Sequence, residues 1–200
     1  MNWTELPLGK YVEITNLYSD TDIDDSDRLL YVIQVIFDVN PLKLTMHELQ
    51  KYIKEIEFLK QPIPKVRIRN TYTLGGVKYH LQKDLKDISV AQWVDFQSYM
   101  KDGSGVENWR HILSVLFFPE GCEEYGEGFD LLKVKADISN HLSVADAMAI
   151  STFFLHYLTK LSVLSLLSTR RRMLKGMKDR KARRRIRKEM RKAITTITGV

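Results

Sequence analysis

The sequence predicts a mainly α protein: a helical bundle with one small β-hairpin, at about residues 66–81, and a basic C-terminal helix. Three observations carry this. Apolar residues recur at three- and four-residue spacing through most of the 200 residues, and they make up 44% of the chain, enough for a core. One segment switches to a period of two around Gly75-Gly76. The last stretch, 170–192, concentrates Lys and Arg on a helical pattern.

The first helix signal follows an aspartate run, Asp20, Asp22, Asp24, Asp25 and Asp27. Leu29, Leu30, Val32, Ile33, Ile36 and Phe37 give the helical spacing, and Asn40-Pro41 ends it. Next, Thr45 with Glu48 three residues on forms a capping box, in which each side chain accepts from the other's backbone N–H. Leu49, Tyr52, Ile53, Ile56 and Leu59 are expected as its buried stripe, and Pro62 and Pro64 stop the helix. In 66–81, Val66 and Ile68 alternate with Arg67 and Arg69, then Val77, Tyr79 and Leu81 with Lys78 and His80. Two strands alone are marginal, so this ribbon must pack on helices.

The remainder reads as helix. Ser89 and Gln92 make a second capping box, with Val90, Trp93, Val94, Phe96 and Met100 expected as the buried face. The run "DGSG" breaks that helix; "VENWRHILSVLFF" forms the next, closed by Pro119. "EGCEEYGEG" is a loop, Asp130 opens another helix, and Ser143 with Asp146 opens the last long one. The echo of "ISVAQ" in "LSVAD" reads as two similar helix starts. Period and charge divide the chain into an N-terminal helical hairpin region (1–64), a hairpin plus helical core (65–169) and a basic tail (170–200).

The net charge of +6 hides a split. Fourteen Lys/Arg in 170–192 face only Asp179 and Glu189, so that segment is +12 and the rest is −6. Such a tail suits nucleic acid, an anionic membrane, an acidic partner or its own body. One cysteine, Cys122, excludes an internal disulfide framework, which fits a reducing compartment, and no secretory signal is visible.

Enzyme and metal signatures are not found. Counted from Asp20 as an EF-hand, position 6 is Asp25 where Gly must turn, and position 12 is Tyr31 where a bidentate Glu must close the cage. The run instead suits a helix N-terminus, where carboxylates accept from orphan N–H groups. His47, His80, His111, His141 and His156 are scattered without zinc spacing. Cys122 lies in an acidic loop that does not activate a thiol. There is no phosphate-cradling Gly-Lys-Ser/Thr motif and no G-x-S-x-G. The expectation is a protein with no catalytic residues, no metal and no cofactor.

Two segments carry the remaining signal. The helix around 144–168 is apolar, but between Asp146 and Lys160 only thirteen residues are uncharged. That is short of the twenty a span needs, so a buried core helix is expected and a membrane partner is not. The basic flank after it nevertheless has the pattern of a cytoplasmic one. In the tail, Met173, Met177, Ile186 and Met190 fall near one helical face as adaptable apolar contacts. Arg170, Arg171, Arg172, Lys175, Arg180, Arg183, Arg184, Arg185, Arg187 and Lys188 are its candidate partner or nucleic-acid contacts. Aromatic side chains are missing there, so bases have no stacking platform.

The order of these elements resembles a family of small proteins from tailed phages of Bacteroidetes hosts that are themselves similar to tail assembly chaperones. The likeness covers about 20–168, most specifically "GGVKYHLQKDLKDISVAQWVDFQ" (75–97) and "ILSVLFFPEG" (112–121). It implies a non-enzymatic virion assembly or tail/portal-proximal structural protein. Its partners would be other virion or tail proteins, the tape-measure protein among them, with self-association also open. Its place would be the host cytoplasm during assembly, or the virion. The alternative is a nucleic-acid-binding module using the tail.

Overall fold

The structure is a computed structural model that describes residues 1–101, 105–122, 124–126, 128–176 and 180–198. The protein is mainly α, with a small antiparallel sheet. In chain order the elements are α1 (Leu8–Ser19), α2 (Asp25–Phe37), α3 (Met46–Glu55), β1 (Thr71–Leu74), β2 (Val77–Leu81), α4 (Val90–Lys101), α5 (Val106–Leu116), β3 (Phe117–Pro119), α6 (Leu131–His141), α7 (Val144–Gly176) and α8 (Arg180–Thr198). Single 3-10 turns cover Pro41–Lys43 and Glu57–Lys60. Packing divides the chain into two compact units, Met1–Ile150 and Ser151–Val200.

In the first unit, the capping residues read from the sequence act as caps. Asp24 is the N-cap of α2, its carboxylate accepting from Ser26 N at 2.8 Å and Asp27 N at 2.9 Å. Asp20 accepts from Asp22 N, and Asp25 pairs with Arg28 at 2.6 Å. Arg28 in turn donates to the carbonyls of Leu17, Asp20 and Ile23, tying the loop to the end of α1. Thr45–Glu48 closes the capping box on α3, and hydrogen bonding to Thr45 holds the Glu48 carboxyl below its ordinary value. Ser89–Gln92, Asp130 and Ser143–Asp146 start α4, α6 and α7.

One core of this unit gathers Trp3, Leu6, Ile14, Val32, Ile33, Ile36, Ile56, Phe58, Val144 and Ala145. Leu49, Tyr52, Ile53 and Leu59 are only partly buried against it, with Ile56 as the buried member of the expected stripe. The N-terminal segment, for which no element was expected, is a structural part of this core. Trp3 donates from its indole to Gln61 O at 3.1 Å and meets Tyr11 and Phe58 edge-on. Leu8 N donates to Leu142 O and Val144 N to Leu6 O, strapping the start of the chain to the α6–α7 junction. Gly9 lets α1 approach α6 closely: a Cβ there would lie 2.8 Å from Ser139 O. Leu8, Tyr11, Val12 and Thr15 do have helical spacing, which was the available signal.

The hairpin forms at Gly75-Gly76, with φ +56° and +82°, as a two-residue turn requires. Its register pairs Tyr72 with Tyr79 and Leu74 with Val77. Two expectations are corrected. Residues 66–69 are not strand; β1 begins at Thr71. Phe117-Phe118, expected to end the α5 helix, form a third strand instead, pairing His80 with Phe118 and Leu81 with Phe117. The open edge of β2 accounts for this, because its N–H and C=O groups need partners wherever the edge is buried. Phe117 is completely buried, against Tyr72 and Tyr79.

A third correction concerns α4. Val90, Trp93 and Val94 are exposed (81%, 36% and 58%), and Gln92 and Phe96 are the buried positions. The cap explains the rotation. Gln92 accepts from Ser89 N and donates inward to Val115 O at 3.0 Å, so this polar residue occupies the inner face. A buried amide with its partners in place costs little, and the apolar residues at 90, 93 and 94 turn outward with it.

In the second unit, α7 continues without a break from 151 to Gly176 and α8 follows from Arg180. Helix α7 ends at Gly176, and 177–179 lie outside the described residues.

Candidate partner-binding surface

Three surfaces, two on the first unit and one on the second, carry side chains that a partner could use. The first is the outward row Val90, Trp93 and Val94 on α4, spaced one helical turn apart. Trp93 stacks on buried Phe96 at 5.8 Å between centroids and 18° between planes, and remains partly exposed. An exposed tryptophan on a helix is the kind of residue that dominates interface energetics where a partner binds.

The second is a polar cleft of about 530 Å³ beside the start of α4, lined by His80, Gln82, Ser89, Gln92, Cys122 and Tyr125 among others. Tyr125 donates to Asp95 at 2.7 Å; burial, then that carboxylate, pushes its phenol well above the ordinary tyrosine value. Tyr79 behaves alike, raised by burial and by its hydrogen bond to Asp137. Both phenols are thereby kept neutral and donating, a structural use. The Cys122 thiol donates to Glu124 O at 3.3 Å. Among the described residues no group of three His, Cys, Asp or Glu is placed to hold a metal ion. Elsewhere in the unit, Arg110 Nε is buried without a hydrogen-bond partner, and burial with the nearby Arg110 charge lowers Lys135.

The third is α8. An open groove of about 630 Å³ is lined by Arg184, Arg187, Lys188, Arg191, Lys192, Thr195 and Thr196. At 100° per residue these fall on one side of the helix, and Ile186, Met190, Ala193 and Ile194 on the other, where they are half-buried. The expected contacts Arg184, Arg187 and Lys188 are thus brought together, and Ile186 and Met190 share the opposite face. Arg185 is exposed beside the groove, and Arg172 is exposed on α7. The side chains of Arg170, Arg171, Met173, Lys175, Arg180 and Arg183, and all of Met177, lie outside the described residues. Arg191, Lys192, Thr195 and Thr196 were not among the expected contacts. Arg191 and Lys192 lie three or four residues beyond Arg187 and Lys188, and Thr195 and Thr196 three or four beyond Arg191 and Lys192; that spacing was the signal that could have found them.

Helix α7 contradicts its expectation of core burial. Its start is core: Val144, Ala145, Ala147 and Ile150 are buried, and Asp146 pairs with Arg69 at 2.9 Å. From 151 to 169, however, Phe154 is the one buried side chain among those described, with Leu155 at 56% and Leu164 at 58% exposure. The Val144–Thr169 segment is long and apolar enough to cross a membrane, and only 12% of its most apolar window is buried. Counting charges along the sequence measured apolar length, not what the fold covers, and the two differ here.

The chain matches no protein-family model, no curated protein and no solved structure.

Proposed function

We propose that this chain is a non-enzymatic assembly protein that acts through protein–protein contacts, of the tail assembly chaperone kind its sequence resembles. Its partners on this reading are virion or tail proteins such as the tape-measure protein, met in the host cytoplasm during assembly. The observation that carries it is the outward row Val90, Trp93 and Val94. It lies within 75–97, the stretch in which the resemblance is most specific. An anchored tryptophan flanked by two valines is suited to the apolar stripe of a partner helix, which docks by residues at one-turn spacing.

The test is a pull-down of the tagged full chain from phage-infected cells, beside the double variant Trp93→Ala, Val94→Asp. Recovery of a tail protein by the parent and its loss from the variant support the reading. Recovery of no virion protein by the parent, or equal recovery by both, overturns it.

A second reading has its own observation, the row of cations along α8. Guanidinium groups at one-turn spacing can follow a phosphate backbone, giving non-specific binding to DNA or RNA. Affinity then falls steeply between low and moderate salt, and Arg184→Gln, Arg187→Gln, Arg191→Gln flattens that slope. Binding that ignores both salt and these substitutions rejects it.

A further inference from the structure

From the composition of α7 and α8 we infer that the second unit is a membrane anchor: 151–169 enters the hydrocarbon of an anionic bilayer and the basic face of α8 lies against its headgroups. This goes beyond the proposed assembly role and does not rest on it. An assembly protein that stays in solution would satisfy that role and fail this one.

The distribution of side chains chooses lipid over a protein groove. A helix that docks on one protein surface carries an apolar stripe. Between 151 and 169 the apolar side chains instead run all round. At 100° per residue Leu155, Leu158 and Leu166 lie on one side, and Phe153, Tyr157 and Leu164 on the opposite one. A helix with large apolar side chains on every side is better matched by an apolar medium than by one groove, and the protein's own chain buries only 12% of its most apolar window.

Three of the polar residues within the stretch bond back to the helix itself. Thr159 Oγ1 donates to Leu155 O at 2.8 Å, Ser168 Oγ to Ser165 O at 2.8 Å, and His156 Nδ1 lies 2.9 Å from Thr152 O. Hydroxyls bonded back to their own helix lose little when water is removed. The stretch holds nineteen residues, about 28 Å of helix against about 30 Å of hydrocarbon. Lys160 is its one formal charge, set against ten large apolar side chains, and its long stem can carry the ammonium toward the interface.

The residues after the stretch suit an anionic surface. Arg170, Arg171 and Arg172 come immediately after it, and α8 then separates cations from apolar residues. The second unit carries fifteen Lys/Arg against two Asp/Glu. A basic amphipathic helix beside an inserted one combines electrostatic attraction with apolar burial.

The test is flotation of the full chain with vesicles of phosphatidylcholine plus phosphatidylglycerol, followed by an alkaline carbonate wash. The chain is expected to float and to stay with the vesicles after the wash. Leu158→Asp with Leu164→Asp is expected to lower the retained fraction about tenfold or more. Arg184→Gln, Arg187→Gln, Arg191→Gln is expected to lower capture at physiological salt by about tenfold or more. Trp3, Trp93 and Trp109 all lie in the first unit, so an unchanged tryptophan spectrum shows that a variant is folded there. Lys160→Leu supplies the opposite sign: it must keep or raise the retained fraction. Recovery of the parent at the bottom of the gradient, soluble or aggregated, overturns the inference. So does capture that the wash removes completely, which would mark α8 as a peripheral contact or a nucleic-acid or protein surface.

Discussion

The two units treat apolar residues in opposite ways. In the first, Leu6, Ile33, Phe117, Leu113 and Ile138 are completely covered, and exposed apolar residues such as Val90 and Trp93 stand on particular faces. In the second, large apolar residues follow one another along α7 while the chain covers few of those described. Charge divides the same way: the first unit has sixteen Lys/Arg against twenty-three Asp/Glu, and the second has fifteen against two. The difference teaches where the stabilising contacts are to be found. The first unit contains its own. The second buries few of its described apolar residues, which leaves little hydrophobic gain within the chain to offset the entropy of ordering it.

The comparison is broken most severely by a paired truncation. Phe117→Ala is expected to lower the stability of the first unit by about 3–5 kcal/mol, the usual cost of emptying a fully packed aromatic site. Leu164→Ala should leave that stability within about 0.5 kcal/mol, as an uncovered position does. Guanidinium denaturation followed by tryptophan fluorescence reads both, and equal losses would remove the distinction between the units.

Gly9→Ala comes next. The new methyl group meets the backbone carbonyl of Ser139, which cannot rotate away, so α1 and α6 must separate at about 1–3 kcal/mol. A stability equal to the parent's in the same denaturation assay would mean that the two helices part without cost.

Helix capping supplies a smaller effect. Asp24→Ala removes an acceptor shared by two backbone N–H groups and should cost about 1 kcal/mol. Asp22→Ala, at an exposed residue whose carboxylate is not the cap, should cost little. If the two cost the same, the aspartate run acts through its summed charge and not through one capping position.

The smallest effect is one of pH. Burial and Asp137 raise the Tyr79 phenol in the folded chain, so the neutral form is the one the fold favours. Its contribution is complete below about pH 10, the ordinary tyrosine value, and is lost as the pH rises toward the folded value. Stability of the first unit should therefore decline above that pH, and Tyr79→Phe should make the decline shallower. A decline of identical slope in the variant would assign it to other groups.

Much of the fold is legible in the sequence because its signals are local. A cap needs only a side-chain oxygen and an N–H two or three residues on, so Thr45, Ser89, Asp130 and Ser143 can be placed without any tertiary information, and the aspartate run can be read as a helix start, though not which of its carboxylates caps. The Gly75-Gly76 turn is equally local, since positive φ excludes most side chains. The basic face of α8 follows from composition and a 3.6-residue period.

What the sequence could not determine were the pairings across distance. That Phe117-Phe118 leave helix for strand depends on the edge of β2, some forty residues earlier in the chain. Which side of α4 faces inward depends on Val115 O being there to receive Gln92, so Val90, Trp93 and Val94 are exposed although their spacing is that of a buried stripe. The fate of α7 was decided the same way. Hydropathy records that 151–169 is apolar, but only the packed chain records that the protein leaves it largely uncovered. Local chemistry is written in neighbouring residues; burial is a property of what distant residues bring to the same place.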